Sequence, residues 1–306
     1  MIDSVRPCRS SSRPRDRLPE MAILVNSSDG FRDCWDPFFH LLETHWPSCR
    51  FPLYLNVEEA TYEHRSLKVR CLNHPRLPSG ANVPWSDRLI ESLQAIPEPY
   101  VMYMQEDYFV DAPVRDDIVE DCLRVVSDEG VGCVHLTHFG ARVGNRTAER
   151  RYLVDVPRIS RYRVSTQAAV WDKEVLLAYV RRGETVWETE ALGTLRAWTT
   201  HRPIRTVDLS RLDGSPVMPY IGTGIIRGKW HPEMPPLFAR HGIDIDFDRR
   251  GFYDFPSRWT TRSRVLTALA KRPHKLLAAV LGSAPASRAH PVAPASPPDA
   301  LRGMTK

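Results

Sequence analysis

Between residues 22 and 138 short apolar runs of strand length alternate with segments of helical period, and that alternation leaves the chain few folds to choose from. "AILVNSS" is an apolar run ending in small polar residues, as a buried strand feeding a loop does. Asp36 and Pro37 read as an N-cap and a first-turn proline, behind which Phe38, Leu41, Leu42, His45 and Trp46 recur at helical spacing. "FPLYLNV" is a second strand, "WSDRLIESLQAIP" a helix capped by Ser86 and stopped before Pro97, and "YVMYMQ" a third strand. "RDDIVEDCLRVVSDEG" gives another amphipathic helix, ending at Gly130, and "VGCVHLTHF" another strand. Strands separated by helices need crossover connections, so a mostly parallel sheet with helices on both faces is predicted. From residue 152 the pattern changes to a strand in "STQAAVW", helices over roughly 172–181 and 185–198, and a late strand and loop in "PYIGTGIIRGKW". No clean linker divides the halves, and the reading is a single α/β domain over 21–256 whose C-terminal half binds substrate.

Both ends differ in character from this middle. Residues 1–20 are polar and Pro-broken, which predicts a disordered extension and makes Met21 a candidate biological start. Residues 283–306 are low-complexity and predict a disordered tail. Between them, 257–282 reads as a basic amphipathic segment, with Val265, Leu266, Leu269, Leu276, Leu277, Val280 and Leu281 near one side. It suits an anionic membrane surface and equally a C-terminal helix packed on the domain, with Pro273 breaking any continuous face. The net charge of +5 is carried by these ends. Residues 1–20 hold five Arg against three acids, and 257–306 hold nine Lys or Arg against Asp299, which leaves −5 for 21–256. An acidic folded part argues against nucleic acid as a partner. Six cysteines without a CxxC pair read as buried thiols of a reducing compartment. No apolar run approaches the roughly 20 residues that span a bilayer. The expectation is a cytoplasmic protein, with a peripheral contact at the inner face of the membrane if the basic segment lies there.

"VMYMQEDYFV" ends its strand in two adjacent acids, Glu106 and Asp107. In open α/β sheets ligands bind beyond the carboxyl ends of the strands. Two unpartnered carboxylates there would be costly, and a Mg²⁺ or Mn²⁺ ion shared with substrate phosphates removes the cost. The alternative is that both acids face water at a strand-to-loop junction.

The order of elements, "QEDYF" after the third strand, and "TQAAVWDKEVLL" followed by "ETVWETEALGT" together resemble bacterial glycosyltransferases of the GT-A fold, of the kind found with polysaccharide biosynthesis genes. The likeness runs from about Ala22 to about Gly251. It implies a nucleotide-sugar donor, a saccharide or lipid-linked acceptor, and a divalent cation on the strand-end acidic motif. Gln105, Glu106 and Asp107 stand where that family has a DxD-type motif, so Asp107 is the leading metal ligand, with Glu106 beside it, and metal dependence is open. Asn26, Ser27 and Asp29 of "NSSDGF" would meet the nucleotide, or else close a turn with their own side chains. Asp87 and Arg88 of "WSDRL" would bind base or diphosphate, or else serve as a first-turn acid and a solvated charge.

Sugar transfer with inversion needs a carboxylate to take the acceptor's proton. "GETVWETEALG" offers Glu188 and Glu190. Thr185 and Glu188 form the pattern of a capping box, which employs Glu188 structurally and leaves Glu190 as the base, or as a solvated helix residue. Gln167 and Trp187, in the same family-like segments, are the candidate acceptor contacts. Arg227 and Lys229 in "GIIRGKWHPE" would meet the leaving diphosphate, and the resemblance makes His231 a candidate third metal ligand; surface charge is the plain alternative for each. Trp171, Trp187, Trp198 and Trp230 are possible sugar platforms, of which one or two at most should leave the core. His135 and His138 of "HLTH" read as core or pocket lining, since residues three apart on a strand face opposite ways. Two other classes compete. A nucleotidyltransferase would carry a glycine-rich, basic loop after the first strand, where "NSSDGFRDCW" has a single Gly. A non-catalytic nucleotide or sugar binder would show no turnover.

Overall fold

The computed structural model describes residues 18–137, 152–212 and 214–255. The expectations for 1–17, for His138 and for the basic segment and tail from 257 on lie outside the described residues. Six of the eight strands of one sheet run the same way. Strand β1 (Met21–Asn26) is flanked in parallel by β2 (Leu53–Val57) and β4 (Tyr100–Gln105), and β3 (Val69–Asn73) pairs in parallel with β2. Beyond β4 lies the reversed strand β7 (Ala169–Asp172), then β5 (Cys133–His135), β8 (Ile204–Val207) parallel to it, and β6 (Leu153–Asp155) reversed at the edge. The resulting order is β3-β2-β1-β4-β7-β5-β8-β6. This is the mostly parallel, helix-flanked sheet that the alternating pattern requires.

Alternation along the strands separates two cores, because successive side chains leave opposite faces of a sheet. Ile23, Val25, Leu55, Met102 and Met104 join α1 (Trp35–His45), α3 (Asp116–Asp128) and α6 (Met234–Arg240) on one side. Ala22, Leu24, Tyr54, Val101, Tyr103 and Trp171 join α2 (Trp85–Ala95), α4 (Lys173–Tyr179) and α5 (Val186–Thr199) on the other. Among the described residues no helix is long and apolar enough to cross a membrane. The five described cysteines are free, with Cys34, Cys122 and Cys133 buried.

Two expected helix caps are absent. A 3-10 turn over Asp29–Cys34 runs straight into α1, so the helix begins before Asp36, which lies inside the first turn. Helix α2 starts behind Pro84 without a side-chain cap, and the Ser86 hydroxyl accepts from the Glu184 N–H at 2.9 Å. The capping box at α5 is present: Thr185 Oγ1 accepts the Glu188 N–H at 3.3 Å while Glu188 Oε2 accepts the Thr185 N–H at 2.9 Å. Strands β3, β6 and β8 and helix α6 were not expected. Each of the strands is three to five residues long, too short for a period to show. The late segment "GIIRGK" is a tight hairpin of β9 (Ile225–Ile226) and β10 (Lys229–Trp230). Arg227 and Gly228 both have positive φ, 53° and 78°, the turn geometry that matches strand twist in two-residue hairpins.

Candidate active site

The parallel register brings three carboxamides level at the carboxyl edge of the sheet, since Asn26 of β1 faces Asn56 of β2 and Gln105 of β4. Asn56 Nδ2 donates to Asn26 Oδ1 at 2.5 Å. Chain segments leaving these strand ends carry the polar cluster. Ser27 is buried, its Oγ accepting from the Trp35 indole at 2.8 Å and its carbonyl from Arg88 at 2.8 Å. Asp29 is wholly engaged in joining two loops: its carboxylate accepts the N–H groups of Glu58, Glu59 and Ala60 at 3.0–3.1 Å, and its own N–H donates to Glu58. Asp29 thus spends its carboxylate on the loop at 58–60 and not on closing its own turn.

Arg88 is buried on α2 and pairs with buried Glu58 at 3.3 Å. Its Nε has no hydrogen-bond partner among the described residues, and burial pulls its pKa down against the opposing charges of Glu58 and Glu106. Asp87 points elsewhere, accepting from Arg182 at 3.0 Å and the Gly183 N–H at 2.6 Å. Glu58 was missed in the sequence, although "NVEEA" repeats the acid-after-strand pattern of "MQEDY".

Glu106 and Asp107 are each 6% exposed. Burial, then the neighbouring Asp107 charge, push the Glu106 pKa well above the carboxylate range, against the attraction of Arg88 and Arg250. Arg250 forks onto Asp33 and lies 4.8 Å over the Phe31 ring. Asp107 Oδ2 accepts from the Thr223 hydroxyl and from the Ile225 N–H at 3.1 Å, and burial raises its pKa while these bonds resist. Its other oxygen, Oδ1, is buried with no hydrogen-bond partner among the described residues. An unpaired buried carboxylate oxygen costs at least about 1–3 kcal/mol, and a cation or a proton relieves it.

The hairpin of β9 and β10 is rooted on Asp107. Gly224 N–H donates to the Asp107 carbonyl at 2.8 Å, and His231 N–H donates to the Gly224 carbonyl at 2.8 Å. Arg227 and Lys229 therefore stand on a turn anchored at the acids, with the Arg227 guanidinium 5.8 Å from the Tyr253 ring. His231 is occupied otherwise, its Nδ1 accepting from the Glu233 N–H at 3.2 Å and its ring packing on Phe255. Among the described residues no group of three His, Cys, Asp or Glu side chains is placed to hold one metal ion. His231 thus does not complete a three-ligand shell with Glu106 and Asp107. The acid pair with its open Oδ1 fits a hard cation whose remaining ligands are phosphate oxygens and water.

Glu190 is 8% exposed on α5. Its Oε1 accepts from the Thr166 N–H at 2.8 Å, the Thr166 hydroxyl at 2.9 Å and Ser165 Oγ at 3.5 Å, whereas Oε2 has no partner among the described residues. Burial raises its pKa and the bonds from Thr166 and Ser165 oppose the rise. Glu190 is therefore an oriented, buried carboxylate, and the solvated-residue reading fails. It shares its surroundings with the strand-end acids: the buried Tyr103 hydroxyl feels both Glu106 and Glu190. Tyr108 donates to the Thr166 carbonyl at 2.8 Å and stacks on Tyr220 at 4.7 Å. Gln167 spans the two tyrosines, donating to Tyr108 Oη at 3.1 Å and accepting from Tyr220 Oη at 3.1 Å, so its amide positions the network. Trp187 is 69% exposed, one helical turn before Glu190, while Trp171 and Trp230 are sealed in the core and cannot act as sugar platforms. Neither Glu106, Asp107 nor Glu190 lines the open cavity of about 800 Å³ formed by residues 32–40, 63–65 and 242–249.

The fold and this site define an α/β protein with a charged cluster of acids and arginines at the carboxyl edge of its sheet. No family model and no curated protein matches the chain. Solved structures similar to it include S. aureus TarS, at 10% identity and a TM-score of 0.44 over 76% of this chain and 41% of that one. Another is S. aureus TarS 1–349 in complex with UDP-GlcNAc, at 12% identity and a TM-score of 0.42 over 62% of this chain and 56% of that one. A third is 2-C-methyl-D-erythritol 4-phosphate cytidylyltransferase from Thermus thermophilus, at 11% identity and a TM-score of 0.40 over 73% of this chain and all of that one. The chain thus spans less than half the length of the first.

Proposed function

We propose that the chain is a glycosyltransferase that moves a sugar from a nucleoside-diphosphate donor to a hydroxyl of a saccharide or lipid-linked acceptor, with inversion, in the making of a cell-surface polysaccharide or glycoconjugate. The observation that carries the reading is the pairing of two prepared carboxylates. Asp107 keeps a buried Oδ1 without a partner, and Glu190 keeps Oε2 open while three donors fix Oε1. Tyr108 and Thr166 connect the two.

In this reading Glu190 Oε2 takes the proton of the acceptor hydroxyl as that oxygen bonds to the anomeric carbon and the bond from carbon to diphosphate oxygen breaks. Arg88 and Arg250 face the acids from within, and Arg227 and Lys229 stand on the hairpin, where they meet the charge that accumulates on the leaving diphosphate. Glu106 and Asp107 would hold Mg²⁺ or Mn²⁺, which supplies charge neutralisation to the diphosphate when bound. Asn26 and Ser27, at the end of β1, would meet the nucleotide, and exposed Trp187, one helical turn from Glu190, would offer an acceptor platform.

A thermal-shift panel of nucleotides and nucleotide sugars, with and without Mn²⁺, tests the reading, because a ligand of the native state raises Tm. At least one nucleotide sugar should raise it, and incubation with acceptors should release the nucleoside diphosphate. Release of pyrophosphate from a nucleoside triphosphate would instead mark a nucleotidyltransferase. Binding without turnover would mark a non-catalytic binder.

A further inference from the structure

Away from the acids, two imidazoles meet. His45 ends α1, His241 follows α6, and their Nε2 atoms lie 3.4 Å apart. That separation is long for a hydrogen bond between nitrogens. It is the spacing of two nitrogens on one tetrahedral zinc ion, about 3.3–3.4 Å when each Zn–N bond is about 2.0–2.1 Å. The ring centres are 4.9 Å apart with planes at 83°, closer than a straight N–H···N contact of 3.4 Å permits, so the two nitrogens meet at an angle. We infer that His45 and His241 form a binding site for a borderline transition-metal ion, Zn²⁺ or Co²⁺, separate from the acidic site and bridging α1 to the segment after α6.

A helix end and one carboxylate beside the pair attract a cation. His45 lies at the C-terminal end of an 11-residue helix, where the dipole is negative. The Asp111 charge acts on both rings in the same sense, opposed by His40 and, at His241, by Arg240. His40, Gly242 and Ile243 line the open cavity of about 800 Å³, and two imidazoles leave positions in a tetrahedral shell for water. Imidazole pairs select such ions over Mg²⁺ and Mn²⁺, which prefer carboxylate and phosphate oxygens. A bound ion would brace α6, whose Phe238 packs edge-on against Phe109 at 5.0 Å, two residues beyond Asp107.

The test uses the full chain stripped with chelator. Titration with ZnCl₂ should show a saturable site, and about 100 μM Zn²⁺ should raise Tm by several degrees, an effect that excess Mg²⁺ does not remove. Asp107→Asn should keep this shift, which separates it from the proposed transferase site. His241→Gln and His45→Gln should each weaken binding at least tenfold and abolish the shift. Glutamine can still hydrogen-bond to the remaining imidazole, so metal-free Tm should stay within about 2 °C of the parent. Absence of any Zn²⁺ shift in the parent chain, or an undiminished shift in both variants, overturns the site.

Discussion

Tyr108 and Thr166 are joined by a 2.8 Å hydrogen bond from the Tyr108 hydroxyl to the Thr166 carbonyl. The same threonine gives its N–H to Glu190 at 2.8 Å and its hydroxyl at 2.9 Å. The residue that follows Asp107 therefore fixes the one that fixes Glu190. An error in the placement of either carboxylate would be felt by the other.

Glu190→Gln keeps the size of the side chain and removes the proton acceptor. Transfer should fall by about 10²–10⁴-fold while donor affinity, read by thermal shift, stays within about threefold. Thr166→Val deletes one of the three bonds on Oε1 and should cost about tenfold. Transfer unchanged in Glu190→Gln would remove Glu190 from the reaction.

With Glu190 as the proposed base, its raised pKa gives the rate a pH limb. A base works only when ionised, so transfer should rise with pH through a value above the ordinary carboxylate range. Thr166 hydrogen bonds favour the ionised form, and Thr166→Val should move that limb to higher pH. A limb that stays in place in this variant would assign the titration to another group.

Asp107→Asn keeps the bonds to Thr223 and Ile225 through its amide oxygen while removing the charge. Any Mn²⁺-dependent part of donor binding should be lost, and turnover with it. Equal donor binding with and without Mn²⁺ in the parent chain would show that the arginines alone carry the diphosphate.

The parts of this site that could be read in the sequence are the ones encoded locally. The apolar run into Glu106 and Asp107 announces a strand end, and Thr185 to Glu188 announces a helix start that fixes the phase of Glu190. The parts that could not be read depend on contacts across the chain. Arg250 reaches Asp33 over 217 positions, Thr166 reaches Glu190 over 24, and Thr223 reaches Asp107 over 116. No periodicity records such pairs. Asp29 and Asp87 show the converse, since acids that look available in the sequence are consumed by backbone N–H groups and by Arg182.

Gly224 is demanded by packing. A Cβ there would collide with the Phe109 ring and lie 3.0 Å from the Asp107 carbonyl oxygen. Phe109 is fully buried against Trp230 and Phe238 and has little room to yield. Gly224→Ala should destabilise the fold by about 1–3 kcal/mol or more and push the hairpin off Asp107. Denaturant unfolding reads the first effect and weakened donor binding the second; a variant as stable as the parent would mean that the hairpin is free to move.

His135 makes stability itself pH-dependent. The ring is 3% exposed, and its Nε2–H donates to the Arg163 carbonyl at 3.1 Å. Burial lowers its pKa to about 4, helped by the Arg163 charge and resisted by that hydrogen bond. An unfolded chain binds this proton below about pH 6.5, the native chain only near 4, so the unfolded state holds more protons between them. Stability is then constant above pH 6.5 on this account and is lost as pH falls toward 4, by about 1.4 kcal/mol per pH unit and at most about 3 kcal/mol in all. His135→Gln keeps a donor for the Arg163 carbonyl and cannot titrate. Urea midpoints measured from pH 4 to 8 should therefore converge for the two proteins as the pH drops, the parent losing more than the variant. Parallel curves would mean that His135 takes up its proton equally in both states, and that its burial is looser than the packing against Trp171 implies.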